Sequence, residues 1–255
     1  MNKMHETNRR RWNAASAKWA LGADSRGIWQ RCARKPELAL HARERHWLGA
    51  VRGRRVAVLG SGDNQVVFAL AGLGARVTSV DISERQLDVA RGRAAELGLD
   101  VSFLRADVTD LSALVEDSFD LVFTGGHVAV WVSNLKRFYA EAARILKPGG
   151  RLLVSEYHPF RRLWKDDRRR LRRQFDYFDR GPHVFDCMEG LFDRRPKGPY
   201  RAYEFHWTVA EYIGAVLAAG CTVEAVEEFG DASEGWEVAP LAGLPQVLLI
   251  AARKG

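Results

Sequence analysis

The sequence predicts an α/β fold built on a doubly wound, seven-stranded sheet, and three observations carry that prediction. From Arg54 onward, short apolar runs without polar alternation recur between helical patterns, as strands covered on both faces require. A turn with two glycines, Gly60-Ser61-Gly62, joins the first run to the next helix. The last two strand-like runs, "CTVEAVEEFG" and "QVLLIAARK", follow each other with no helix between them. They make an antiparallel pair at the sheet's edge, so the last strand runs against the others.

Residues 5–48 read as helical, with Trp12 and Trp19 seven apart and therefore on one face. "RVAVLG" is the first strand and "NQVVFALAGLGA" its helix. "RVTSVD" is the second strand, ending at Asp81, and the helix after it carries Ser83 and Gln86 as a capping box and Gly98 as a stop. "VSFLRADV" and "FDLVFTGG" are strands three and four. The next helix repeats apolar residues at Leu135, Phe138, Ala142, Ile145 and Leu146 until Lys-Pro-Gly-Gly ends it. "RLLVSEYH" is strand five, and "TVAEYIGAVLAAG" is a helix capped by Thr208 and Glu211. Between strand five and that helix lie about fifty aromatic-rich residues with no clear period. A stretch of that length is usually functional or disordered, and its aromatics argue for a cap folded over the sheet. The expected organisation is one domain: an N-terminal helical cap (1–50), a core (51–156 and 207–255) and an inserted substrate cap (157–206).

Composition excludes several classes. Cys32, Cys187 and Cys221 form no C-x-x-C pair, which argues against disulfides or zinc and suits a reducing cytoplasm. No apolar run approaches the roughly 18 residues that cross a bilayer, and "MNKMHETNRRRW" lacks the apolar stretch of a secretory signal. No membrane partner, no metal site and a cytoplasmic location are therefore expected. The net charge of +7 is concentrated in "RRLWKDDRRRLRR", Arg161 to Arg173, where eight basic residues face Asp166 and Asp167. That segment reads as a solvated helix, with an anion-binding or nucleic-acid role as the alternative.

The glycine turn lets a ligand approach the backbone, because no Cβ intrudes. Asp81 closes strand two 21 residues after Gly60, where an acid accepts hydrogen bonds from ribose hydroxyls. That feature serves both NAD and S-adenosylmethionine sites, but Gln65 breaks the G-x-G-x-x-G dinucleotide pattern. Asp107 closes strand three in "LRADV", where a carboxylate can accept the adenine amino proton. "FDLVFTGG", "ILKPGG" and the terminal strand pair follow in order.

With these motifs the chain resembles the class I S-adenosylmethionine-dependent methyltransferases, in particular the small-molecule group that includes ubiquinone-type methyltransferases. The resemblance covers residues 50–156 well and 207–255 in outline. It implies a Rossmann-like core, S-adenosylmethionine as cofactor and S-adenosylhomocysteine as product. Carried over by position, Gly60, Ser61 and Gly62 would line the methionine and ribose end. Asp81 would hold the ribose hydroxyls with Ile82 against adenine, and Asp107 and Val108 would meet the adenine edge. Thr124, Gly125 and Gly126 would stand under the sulfonium, and Trp12 or Trp19 would fold over it, since aromatic faces attract cations. Two departures stand out. Val58 replaces the family's common acid and Asn64 its third glycine. Asp63 is a candidate to supply the missing carboxylate, and Asn64 tolerates the positive φ of the glycine it replaces.

Transfer of an activated methyl needs placement first and a base only for a protonated acceptor. His158, ending strand five in "SEYHPF", is the first candidate base and His127 in "TGGHVAVW" the second. Trp131, Tyr157, Tyr203 and His206 are candidates for the substrate. The expected acceptor is oxygen or nitrogen of a small molecule under the 157–206 cap. No Asn/Asp-Pro-Pro-aromatic signature of base amino methylation occurs in "TGGHVA", so nucleic acid is the less favoured partner. An RNA or ribosomal methyltransferase using 161–173, and a non-catalytic S-adenosylmethionine-binding regulator, are the alternatives.

Overall fold

A computed structural model describes residues 2–62, 65–165, 167, 169–185, 201–230 and 240–255. Its strands are β1 (Arg55–Leu59), β2 (Arg76–Asp81), β3 (Val101–Arg105), β4 (Phe119–Gly125), β5 (Leu146–Tyr157), β6 (His183–Phe185), β7 (Ala202–Glu204), β8 (Cys221–Phe229) and β9 (Val247–Lys254). Seven of them form one sheet in the order β3-β2-β1-β4-β5-β9-β8. β1 pairs in parallel with β2 and β4, while β9 runs antiparallel between β5 and β8. The predicted seven-stranded sheet with its antiparallel last strand is thus observed.

The helices are α1 (Lys3–Arg26), α2 (Trp29–Cys32), α3 (Ala42–Leu48), α4 (Gln65–Gly72), α5 (Glu84–Glu96), α6 (Leu135–Ile145) and α7 (Val209–Ala218). They cover the sheet on both faces. Phe138, Tyr139 and Val216 of α6 and α7 pack on one face with Val122 and Ile250. Phe68, Leu70 and Ala90 of α4 and α5 pack on the other with Trp29, Val58 and Phe123. β1 is therefore buried on both sides, which is why it shows no polar alternation.

Several local expectations change. The helical region 5–48 divides where Gly27 takes a left-handed φ of +60° as a C-cap, and again before Pro36. Ser83 caps α5 by accepting from the Gln86 N–H, but no return bond from the Gln86 side chain completes a box. Lys-Pro-Gly-Gly lies inside the bounds of β5 rather than at the end of α6. The residue before a proline avoids helical backbone, and the pairing jumps from Phe119–Leu146 to Leu121–Arg151, so 147–150 bulge. The Thr208–Glu211 capping box forms as expected.

The basic segment is not a helix among the described residues. Pro159–Leu163 makes a short 3-10 turn, after which the described residues 164, 165, 167 and 169–173 form no helix. Like charges three or four apart on a helix face repel, and among the described residues Asp167 lies 3.8 and 4.0 Å from Arg170 and Arg172. Arg161 turns inward and is 4% exposed, whereas Arg169, Arg170, Arg172 and Arg173 face solvent. The rest of the insertion contributes the antiparallel pair β6 and β7. Asn8 of α1 clasps this pair: its side-chain oxygen accepts from the Tyr203 N–H (2.8 Å) and its amide donates to the Tyr203 carbonyl (2.9 Å). Cys32 and Cys221 are free and buried, and Cys187 lies outside the described residues. Among the described residues no helix is long and apolar enough to cross a membrane, and no side-chain group forms a metal cluster.

Candidate functional site

The carboxyl ends of β1 to β4 open into a cavity of about 360 Å³, roofed by α1. Its floor begins at the turn after β1. Gly60 has φ +67°, and a Cβ there would stand 2.4 Å from Val128, so only glycine fits. Ser61 presents backbone to the cavity, because its hydroxyl bonds Ser79 at 2.7 Å. Asp81, at the end of β2, accepts from the Gly62 N–H (2.8 Å) and the Ser83 N–H (2.7 Å), and lines the cavity with Ile82. Asp63 and Asn64 lie outside the described residues.

Behind β3, Asp107 and Val108 form the next part of the wall. One oxygen of Asp107 accepts from Thr109, and the other accepts from His5 Nδ1 at 2.7 Å. The proton sits on Nδ1 because His5 Nε2 already accepts the Ser133 N–H. Burial alone would raise the Asp107 pKa; the His5 and Thr109 bonds outweigh it and hold the group below its ordinary range. His5 thereby ties α1 to the cavity wall. Trp12 meets Trp19 edge-on at 5.9 Å and Trp131 at 5.4 Å, and all three line the cavity. His5, Asn8, Trp12 and Trp19 share one helical face at spacings of three, four and seven. That spacing was the available signal for His5 and Asn8, which sequence reasoning missed.

At the end of β4, Gly125 and Gly126 line the cavity but Thr124 does not. Thr124 is fully buried beneath it, 3.5 Å from Glu156 Oε1. Glu156 is 1% exposed and accepts the N–H groups of His127, Val128 and Ala129. Burial raises its pKa to about 7 against those bonds. The clamp holds His127 at φ +86°, a conformation rare for a non-glycine residue and concentrated at functional sites. The His127 ring stacks on Tyr157 at 4.9 Å and meets Trp131 edge-on at 5.4 Å. Burial, with Arg162, Arg161 and His206 nearby, pushes its pKa well below the ordinary histidine range, so the ring is neutral at pH 7.

His127 and Tyr157 also line a second, smaller cavity of about 20 Å³ with Arg162, His206 and Trp207. The ring of His206 lies 4.1 Å from that of His183. Tyr203, a substrate candidate, lines neither cavity; its backbone N–H and carbonyl are held by Asn8 instead.

His158 is not brought to either cavity. Its Nε2 bonds Glu228 at 2.6 Å, and its Nδ1 accepts the Phe160 N–H, capping the turn that Pro159 starts. Both ring nitrogens are engaged in holding the backbone, which removes the first-choice base from the chemistry.

The cavity suits an adenosine cofactor. Gln86 is 4% exposed and lines it, yet Gln86 Oε1 has no hydrogen-bond partner among the described residues. A Cβ on Gly62 would find no atom closer than 3.8 Å, leaving the turn open to a ligand. Asp81 accepts from hydroxyls, Ile82 and Val108 offer apolar faces, and the tryptophans suit a cation.

Comparison with known proteins agrees with this geometry. Residues 58–154 match the family model described as a methyltransferase domain. The demethylmenaquinone methyltransferase of Tropheryma whipplei is 38% identical over 127 residues, 46% of this chain and 50% of that protein. The chain thus spans about half the length of that relative. The ubiquinone/menaquinone biosynthesis C-methyltransferase of Bdellovibrio bacteriovorus is 31% identical over 180 residues, 62% of this chain and 74% of that protein. A solved S-adenosylmethionine-dependent methyltransferase from Mesorhizobium loti superposes with a TM-score of 0.64 at 29% identity, covering 82% of this chain and 95% of that one. The chain belongs to the class I S-adenosylmethionine-dependent methyltransferase family.

Proposed function

We propose that this protein transfers a methyl group from S-adenosylmethionine to oxygen or nitrogen of a small molecule seated beneath the inserted segment 157–206. The observation that carries this reading is His127, which forms the wall shared by the large cavity and the smaller one. When bound, the cofactor supplies an already activated methyl. The protein's part is placement, worth about 7–11 kcal/mol, and removal of the acceptor's proton, worth roughly 10²–10⁴-fold. His127 is neutral at pH 7 and is the candidate to take that proton. Arg161 lies over the Tyr157 ring at 4.1 Å and Arg162 lines the smaller cavity beside Glu156, so two guanidinium groups stand near an acceptor oxygen as it becomes anionic. This favours ionisable hydroxyls, phenolic ones above all. A phenolate can also react at ring carbon, and one relative is named a C-methyltransferase. Buried free thiols at Cys32 and Cys221 suit a reducing cytoplasm.

The test is transfer of labelled methyl to a panel of phenols, quinols, amines and RNA, with the product position read by mass spectrometry. Phenolic oxygen products support the reading. Ring-carbon products would move the acceptor atom while keeping the site. Methylated RNA, with binding that weakens steeply as salt rises, would transfer the role to the exposed Arg169–Arg173 face. Cofactor binding with no product from any acceptor would favour a regulator.

A further inference from the structure

Strand order arranges the polar groups along the carboxyl edge of the sheet. Asp107 follows β3, Asp81 ends β2, Gly60 follows β1 and Gly125 ends β4. Ser155 of β5 comes next and is the register partner of Gly125. With ribose at Asp81 and adenine at Asp107, the amino-acid end of the cofactor extends the other way, toward Gly125 and Ser155.

Three acids line the large cavity among the described residues: Asp107, Asp81 and Glu44. The first two are engaged at the nucleoside end, as described above. Glu44 reaches the cavity from α3, on the opposite side. It accepts the His41 N–H at 2.7 Å and the Ser155 hydroxyl, and burial nonetheless pushes its pKa up. A half-buried carboxylate whose pKa burial has raised is stabilised in its charged form by a cation placed beside it. Arg26, in the last turn of α1, lines the same cavity from its exposed rim. An acid inside and a base at the rim suit the ammonium and carboxylate of an amino-acid group.

The acid that the family usually places on β1 is absent. Val58 is 1% exposed and packs in the apolar cluster with Phe123 and Leu153, so β1 offers no acidic side chain to an ammonium. We propose that Glu44 accepts the ammonium of the cofactor's methionyl end, with Arg26 facing its carboxylate, and so replaces the missing acid with one from a different element. This rests on S-adenosylmethionine as the cofactor.

The test compares two ligands by calorimetry on the full chain: S-adenosylhomocysteine, and 5′-methylthioadenosine, which keeps the nucleoside and thioether but lacks the amino-acid group. Glu44→Gln retains an oxygen for the His41 cap, so α3 stays in place. It is expected to weaken S-adenosylhomocysteine at least about 30-fold, as loss of one partner of a buried charge pair does, and to leave methylthioadenosine within about twofold. Arg26→Gln should show the same selectivity with a smaller loss, since an exposed charge contributes less. Unchanged S-adenosylhomocysteine affinity, or an equal loss for both ligands, would overturn the proposal. A selective loss in Asp63→Ala with none in Glu44→Gln would assign the role to the turn instead. If the wild-type chain bound neither ligand, the cofactor reading itself would fail.

Discussion

The two sides of His127 are built differently. On the cofactor side, the polar groups follow strand ends: Asp81 is fixed by Gly62 and Ser83, and Asp107 by Thr109 and, from α1, by His5. At the smaller cavity, Tyr157, Arg162, His206 and Trp207 come from the insertion and its return. They meet through contacts between residues far apart in sequence. The sheet's strand ends set the first group in place, whereas the second depends on how the insertion folds back. Substitutions should therefore act on one side and spare the other.

The largest expected effect is on the cofactor side. Gly60→Ala forces a Cβ against Val128 and strains a positive φ, a combined cost of about 3 kcal/mol. S-adenosylhomocysteine binding should be lost by calorimetry, with a clear fall in Tm. Unchanged affinity would mean the turn is not the cofactor floor.

A smaller effect is expected where α1 meets the insertion. Asn8 is 2% exposed and bonds Tyr203 twice. Asn8→Ala should cost about 2 kcal/mol, increase hydrogen exchange in β7 and spare exchange at Gly62. Exchange rising equally at both places would show that the two sides unfold as one unit.

The smallest effect is a pH slope. Glu156 has a folded pKa raised to about 7 by burial, above the unfolded carboxylate value. Its protonated form therefore stabilises the fold fully below about pH 4.5, and that contribution is lost as pH rises through 7. Wild-type stability should fall by about 1 kcal/mol per pH unit between pH 5 and 7 relative to Glu156→Gln. Parallel pH profiles would show that the carboxyl is ionised throughout.

The same division explains what the sequence disclosed. Asp81, Asp107 and the Gly60 turn were legible because their roles depend on position at a strand end. His158 was misleading because its partner, Glu228, lies 70 residues away, and Pro159 turned it into a cap. Arg161 looked like part of a solvated face until its ring contact with Tyr157 drew it inward. Gln86 resembled a capping residue, yet its side chain borders the cavity instead. His5 and Asn8 were overlooked because polar residues on a helix usually face water, and only the fold of α1 over the sheet buries them.

The most direct test of the central claim is His127→Ala, with methyl transfer and S-adenosylhomocysteine affinity measured on the same preparation. Turnover is predicted to fall roughly 10²-fold or more, while affinity stays within about threefold. Unchanged turnover, or a matched loss of affinity and turnover, would contradict His127 as the boundary between the cofactor and its acceptor.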